Sequence, residues 1–158
     1  MIKVLFLCLG NICRSPLAEA LFNHKIAASG LASKFVVDSC GTGNYHIGSQ
    51  PDSRSIQVAH RHKVFINHAC RQLTKTDLDE FDYLLAMDKS NQANILSLSK
   101  NSNHKEKVLL MRSFDTLDKH DEVPDPYHGG ENEFQAVYDI LDRSVDGFIT
   151  FIKRKHDF

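Results

Sequence analysis

The sequence predicts an α/β fold: a single domain over residues 1–158, built on a four-stranded parallel sheet flanked by helices on both faces. Three observations predict it. The chain starts on the run Ile2-Lys3-Val4-Leu5-Phe6-Leu7, apolar except for Lys3, the pattern of a strand covered on both sides. Strand-like segments then alternate with helical ones, the order that builds parallel sheets. The chain closes on a clear helical period. Phe134, Val137, Tyr138, Leu141, Val145, Phe148, Ile149 and Ile152 fall at i, i+3, i+4, i+7 spacing, with Asp139, Asp142, Arg143 and Asp146 opposite them.

The elements follow in order. After the first strand, Pro16 suits the opening turn of a helix that runs to about Ala28, with Gly30 as its stop. Phe35-Val36-Val37 is a β-branched second strand, and Asp38–Gly48 after it is rich in turn residues. Asp52 is placed to cap a helix through about Arg61. Phe81–Met87 reads as the third strand, Ser90–Ser99 as a helix and Val108–Met111 as the fourth strand. Phe114–Glu133 carries Asp115, Asp118, Asp121, Pro124, Pro126 and Gly129-Gly130, and reads as a long surface loop. Loops of that length in a compact domain often carry function. There is no internal repeat and no low-complexity segment.

Composition narrows the function. Apolar residues make up 42%, charged residues 25%, and the formal net charge is −1. That is an ordinary globular balance with no basic stripe for nucleic acid, so any anion is recognised locally. No apolar run approaches the roughly 18–20 residues needed to cross a bilayer. The N-terminus lacks the features of a secretory signal, so the expected location is the cytoplasm, without membrane insertion. Of the four cysteines, Cys8, Cys13, Cys40 and Cys70, the first two are spaced too widely for a zinc knuckle, and no second pair follows. No metal and no cofactor is expected. Cys40 and Cys70 read as small buried apolar residues.

Chemistry concentrates in Cys8-Leu9-Gly10-Asn11-Ile12-Cys13-Arg14-Ser15, the phosphate-loop candidate after strand 1. A thiol attacks as thiolate. At a helix N-terminus inward-facing backbone N–H groups favour an anion, Arg14 adds a charged planar fork, and Ser15 adds a hydroxyl that can donate to sulfur. These same donors suit phosphoryl oxygens. Gly10 lets the backbone curl close to the anion, and Asn11 tolerates a left-handed conformation. Cys8 and Arg14 alone fit a buried structural thiol and a surface cation equally well. The added Gly10, Asn11 and Ser15 at a strand-to-helix turn favour the nucleophile. Expelling an alkoxide or phenoxide also needs an acid, typically worth 10²–10⁴-fold. Asp125, between Pro124 and Pro126, is the candidate; by itself it would read as a turn aspartate.

Cys8–Pro16 resembles the signature loop of the low-molecular-weight protein tyrosine phosphatases, and Asp125-Pro126-Tyr127 resembles their acid loop. Asp38-Ser39, Gly48–Arg54, His68 with Arg71–Thr74, and Phe81–Asn91 extend the resemblance over nearly the whole chain. It implies hydrolysis of phosphotyrosine and small aryl phosphates through a phosphocysteine intermediate. Cys8 is then the nucleophile, Arg14 and the amides of Leu9, Gly10, Asn11, Ile12 and Cys13 bind the phosphate, Ser15 stabilises the thiolate, and Asp125 is acid and then base. Ser39 and His68 support Asn11. Tyr45 and Tyr127 match the family's pocket walls, and Ile12 its tyrosine-specific branch rather than the phosphoarginine branch. His128 departs from a second aromatic, while His46 beside Tyr45 reads equally as a rim residue and an inert surface histidine. Cys13 is implied to form a reversible disulfide with Cys8 under oxidation. Expected partners are phosphotyrosine proteins, a tyrosine kinase among them, for a monomer or weak dimer.

Other readings explain less. Thiol-dependent arsenate reduction requires two further, closely spaced cysteines, whereas Cys40 and Cys70 lie thirty residues apart. A docking module without activity has no need of Cys8, Arg14 and Asp125 together. Flavin-binding loops use Ser and Thr rather than Cys and Arg.

Overall fold

The computed structural model describes residues 1–158. Its strands are β1 (Ile2–Cys8), β2 (Phe35–Gly41), β3 (Tyr83–Ala86) and β4 (Val108–Leu110). Its helices are α1 (Arg14–Ala28), α2 (Ser53–Arg61), α3 (Lys75–Glu80), α4 (Lys89–Ser97) and α5 (Glu131–His156). The sheet runs β2-β1-β3-β4, and every pairing is parallel. The strand order reverses between β1 and β3, so the crevice at their carboxyl ends is where such sheets bind ligands.

The apolar run of β1 divides between two cores, because successive side chains point to opposite faces. Val4, Phe6 and Cys8 join the larger core with Leu21 and Phe22 of α1, Val58 of α2 and Leu141, Val145 and Phe148 of α5. Leu5 and Leu7 join the smaller one with Leu78 of α3, Leu84 of β3 and Ile95 of α4. Leu5, Phe6 and Leu7 are fully buried, each contributing about 1.5–3 kcal/mol through its side chain. The central strand is thereby fixed in place, and with it the position of Cys8.

The structure departs from the sequence expectation at several boundaries. β2 continues past Val37 to Gly41, because Ser39 and Cys40 are fully buried and pair in register with Phe6 and Leu7. β3 starts at Tyr83 rather than Phe81. The preceding residues form α3, whose Thr74 cap and Asp77 make a reciprocal capping box. β4 ends at Leu110, and Met111–Phe114 forms a 3₁₀ turn. The region expected as a surface loop is anchored inside: Asp115 is fully buried against Arg143, and the buried Val123 donates its N–H to Met87 O at 2.7 Å.

Candidate active site

Cys8 ends β1 with its side chain buried, and α1 begins six residues later at Arg14. The intervening loop is held by its carbonyls. Cys8 O accepts from Thr42 N, Leu9 O from Gly43 N and Ile12 O from Asp52 N, at 2.8–2.9 Å. Cys13 O accepts from Ser55 Oγ at 3.0 Å, and Asn11 O from Cys70 Sγ at 2.8 Å. In a trans peptide the N–H points opposite to the C=O. With these five carbonyls turned outward, the N–H groups of Leu9, Gly10, Ile12, Cys13 and Arg14 are turned to the inside of the loop, where they form an anion-binding concavity. Asn11 supplies the left-handed kink, with φ of 57°. Gly10 does not have a positive φ. The glycine on which the loop rests is Gly41 at the end of β2, where a Cβ would come 2.7 Å from Leu9 O.

Behind the loop lies a directional hydrogen-bond network. Asn11 Nδ2 donates to Ser15 Oγ at 2.8 Å and to Ser39 Oγ at 3.0 Å, and Ser39 donates to Glu19 Oε1 at 2.6 Å. Asn11 Oδ1 can only accept, so His68 donates to it from Nε2 at 2.7 Å, beside Arg71 N at 3.1 Å. Ser15 Oγ lies 3.0 Å from Cys8 Sγ. Burial pushes the Glu19 carboxyl up to about 7, and it lowers the His68 imidazole. Glu19, Asp38 and His68 bring three potential metal ligands within 4.8 Å of one another. Glu19 and Asp38 accept from Ser39 and Arg71, and His68 donates to Asn11, so these hydrogen bonds already account for the cluster as support for Asn11.

Arg14 is buried at 3% exposure, and three groups converge on it. Nη1 donates to Asp88 Oδ2 at 2.8 Å and to Val123 O at 2.9 Å, while Nη2 lies 3.8 Å from Asp125 Oδ2. Burial works against the charge on this guanidinium, but Cys8, Asp88 and Asp125 outweigh it and raise its pKa. Asp88 also caps α4, accepting from Asn91 N at 2.7 Å, so one carboxylate ties Arg14 to a helix start. Asp125 is half exposed, and its Oδ1 accepts from Tyr127 N at 3.1 Å.

Cys8, Leu9, Gly10, Ile12, Cys13 and Arg14 share a cavity of about 480 Å³ with Tyr45, His46, Asp125, Tyr127 and His128. Asn11, Ser15, Ser39 and His68 stand behind it as the supporting network. The Cys13 thiol is pushed up to about 12, by burial first and then by Asp52, Cys8 and Asp125. The sequence places Asp52 as a helix cap, as the structure shows, but it assigned no role to Asp88, Glu19, Gly41 or Arg54. Asp88 had a readable signal, since it follows an apolar strand and precedes a helix. Glu19, Gly41 and Arg54 act through contacts with Ser39, Leu9 and the Tyr127–Gly129 backbone, all distant in sequence.

Known proteins resemble this chain in sequence and fold. A match to the family described as low molecular weight phosphotyrosine protein phosphatase covers residues 3–157. A low molecular weight phosphotyrosine protein phosphatase of Schizosaccharomyces pombe is 42% identical over 153 residues, 96% of each chain. Among solved structures, a protein tyrosine phosphatase from Entamoeba histolytica with Hepes in its active site superposes with a TM-score of 0.93 at 40% identity, covering 99% of both chains. A Drosophila arginine phosphatase superposes at 0.89 and 32% identity, covering 96% of this chain and 98% of its own.

Proposed function

The chain belongs to the low molecular weight phosphotyrosine protein phosphatase family, and on that premise we propose that it hydrolyses phosphotyrosine in proteins, and small aryl phosphates, through a phosphocysteine intermediate. The observation that carries this reading is one cavity lined by the buried Cys8 and Arg14 together with Asp125 and the more exposed Tyr45 and Tyr127. Phosphotyrosine is longer than phosphoserine and has an aromatic ring, so a deep aromatic-walled pocket over a thiol favours it. Ile12 fills the position that resembles the tyrosine-specific branch, which disfavours phosphoarginine.

In this mechanism the Cys8 sulfur attacks phosphorus in line, and the bond to the leaving phenolic oxygen breaks. Arg14 and the inward N–H groups of the loop hold the three equatorial oxygens, whose geometry they match in the transition state. Asp125 enters protonated and gives its proton to the departing phenoxide. A water then takes the place of the phenol, and Asp125, now a carboxylate, accepts its proton. The S–P bond breaks as inorganic phosphate forms. Ser15 donates to the sulfur before attack and again as thiolate is regenerated. Asn11, supported by Ser39 and His68, keeps Ser15 in that orientation.

The same reading makes the enzyme a single cytoplasmic domain over residues 1–158, monomeric or weakly dimeric, that acts on phosphotyrosine proteins, a tyrosine kinase among the possible substrates. No helix is long and apolar enough to cross a membrane. It also assigns redox regulation to the Cys8–Cys13 pair, both of which are free thiols. The test is phosphate release from matched phosphotyrosine, phosphoserine and phosphoarginine peptides near pH 6, with Cys8→Ser as control. Release from phosphotyrosine alone, abolished in the variant, is expected. A folded protein that releases nothing, or that prefers phosphoarginine, would overturn the reading.

A further inference from the structure

We propose that Arg54 is a positioning residue that brackets the loop carrying Asp125 against the phosphate loop, setting the acid's distance from the leaving group. The proposal rests on the phosphatase reading above. The N-terminal turn of α2 is fastened to the phosphate loop at two points, Asp52 N to Ile12 O at 2.8 Å and Ser55 Oγ to Cys13 O at 3.0 Å. From this base the Asp52 carboxylate locks Arg54. Oδ1 accepts from Arg54 N at 2.9 Å and Nε at 3.0 Å, and Oδ2 accepts from Nη2 at 2.9 Å. The far side of the guanidinium reaches across to the other loop. Nη2 donates to Tyr127 O at 3.0 Å and Nη1 to Gly129 O at 3.1 Å. Its Cζ lies 4.5 Å from the Phe134 ring centroid and 5.6 Å from that of Tyr127.

Four of the five guanidinium N–H groups are thus committed, two to each side. Upstream of Asp125, Val123 pins the loop to Met87 and Arg14. Downstream, the remaining bonds are local, Tyr127 N to Asp125 Oδ1 and Gly129 N to Pro126 O. Arg54 is therefore the downstream pin, and Asp125 hangs between two fixed points. Lysine, a point charge without a planar fork, cannot hold both a carboxylate and two carbonyls in this geometry.

A positioning role for the acid has a distinct kinetic mark. A good leaving group departs without a proton, so misplacing Asp125 hurts poor leaving groups selectively. The experiment measures kcat/KM for Arg54→Lys and Arg54→Met on phenyl phosphate, p-nitrophenyl phosphate and 2,4-dinitrophenyl phosphate, with Asp125→Asn as reference. General-acid catalysis as a whole is worth about 10²–10⁴-fold, so partial misplacement is expected to cost about tenfold on phenyl phosphate and under about twofold on the dinitrophenyl ester. Inhibition by inorganic phosphate is expected to stay within about twofold of wild type. Arg54 is 37% exposed at its side chain, so water can occupy the truncated site, and the lysine variant retains charge and bulk if the methionine variant unfolds. If Asp125→Asn shows no leaving-group dependence, the acid assignment fails. If Asp125→Asn shows it but the Arg54 variants lose the same factor on all three esters, or lose nothing, the bracket is overturned.

Discussion

Asn11 donates to Ser15 Oγ at 2.8 Å, and that bond gives the Ser15 hydroxyl its direction. With a lone pair already occupied by the amide, the hydroxyl proton is free for Cys8 Sγ, 3.0 Å away. A hydrogen bond to a charged group is worth about 1.5–3 kcal/mol. Ser15→Ala is therefore expected to lower kcat/KM by about 10- to 100-fold, and also to lower the melting temperature, because the buried Asn11 amide loses its acceptor. Unchanged turnover in steady-state kinetics would show that the sulfur does not use this donor.

Asp88 serves both Arg14 and the start of α4. Asn is as good a helix N-cap as Asp, whereas Ala is not, and the loss costs about 0.5–2 kcal/mol. Asp88→Asn is expected to retain stability while weakening inhibition by inorganic phosphate, because Arg14 loses its charged partner. Asp88→Ala is expected to lose both. Urea denaturation alongside phosphate inhibition separates the two effects, and equal stability of the two variants would refute the shared role.

Hydrogen peroxide is expected to convert the Cys8 thiol to a sulfenic acid, with water as the other product. Cys13 then displaces a second water to form the disulfide. The high pKa of Cys13, about 12, keeps it a thiol until that step. Peroxide-treated wild type should regain activity with dithiothreitol, and Cys13→Ser should regain much less. Equal recovery would assign protection to another group.

His128 stands edge-on to Tyr127, with ring centroids 5.1 Å apart, at the cavity rim. A rim residue that stacks on substrate without touching the reacting atoms acts mainly on binding. His128→Tyr is expected to change KM for aryl phosphates more than kcat. The reverse split in initial-rate measurements would place His128 in the chemistry.

Asp115 is expected to contribute to stability in acid. Burial alone would push its carboxyl up, but Arg143 and the Leu117 and Asp118 amides outweigh it and hold the group at about 2. The unfolded value is about 3.9. The folded pKa lies below the unfolded one, so the stabilisation is present above about pH 4 and is lost as pH falls toward about 2. Arg143→Gln is expected to lower the denaturant midpoint at pH 7 and to differ less from wild type near pH 2.5. A constant difference at both pH values would exclude this carboxylate as the cause.

The sequence alone determined the four strands and the helices α1, α2, α4 and α5, and pointed to Cys8–Ser15 and Asp125 as the candidate site, because those signals are local. An unbroken apolar run, a helical period and a nine-residue motif each act within a few turns of chain. Thr74 with Asp77 was equally local, yet six residues of helix are too short for a period to show. Only the tertiary structure decided that β2 runs to Gly41, since Ser39 becomes strand through pairing with Phe6 and bonding to Asn11 and Glu19. It alone placed Asp88 on Arg14, 74 residues away, and Arg54 on Tyr127, 73 residues away. Hydrogen bonds of that span are specified by the packing of whole elements. No property of either residue in isolation, and no spacing between them, encodes the geometry that brings their atoms within 3 Å.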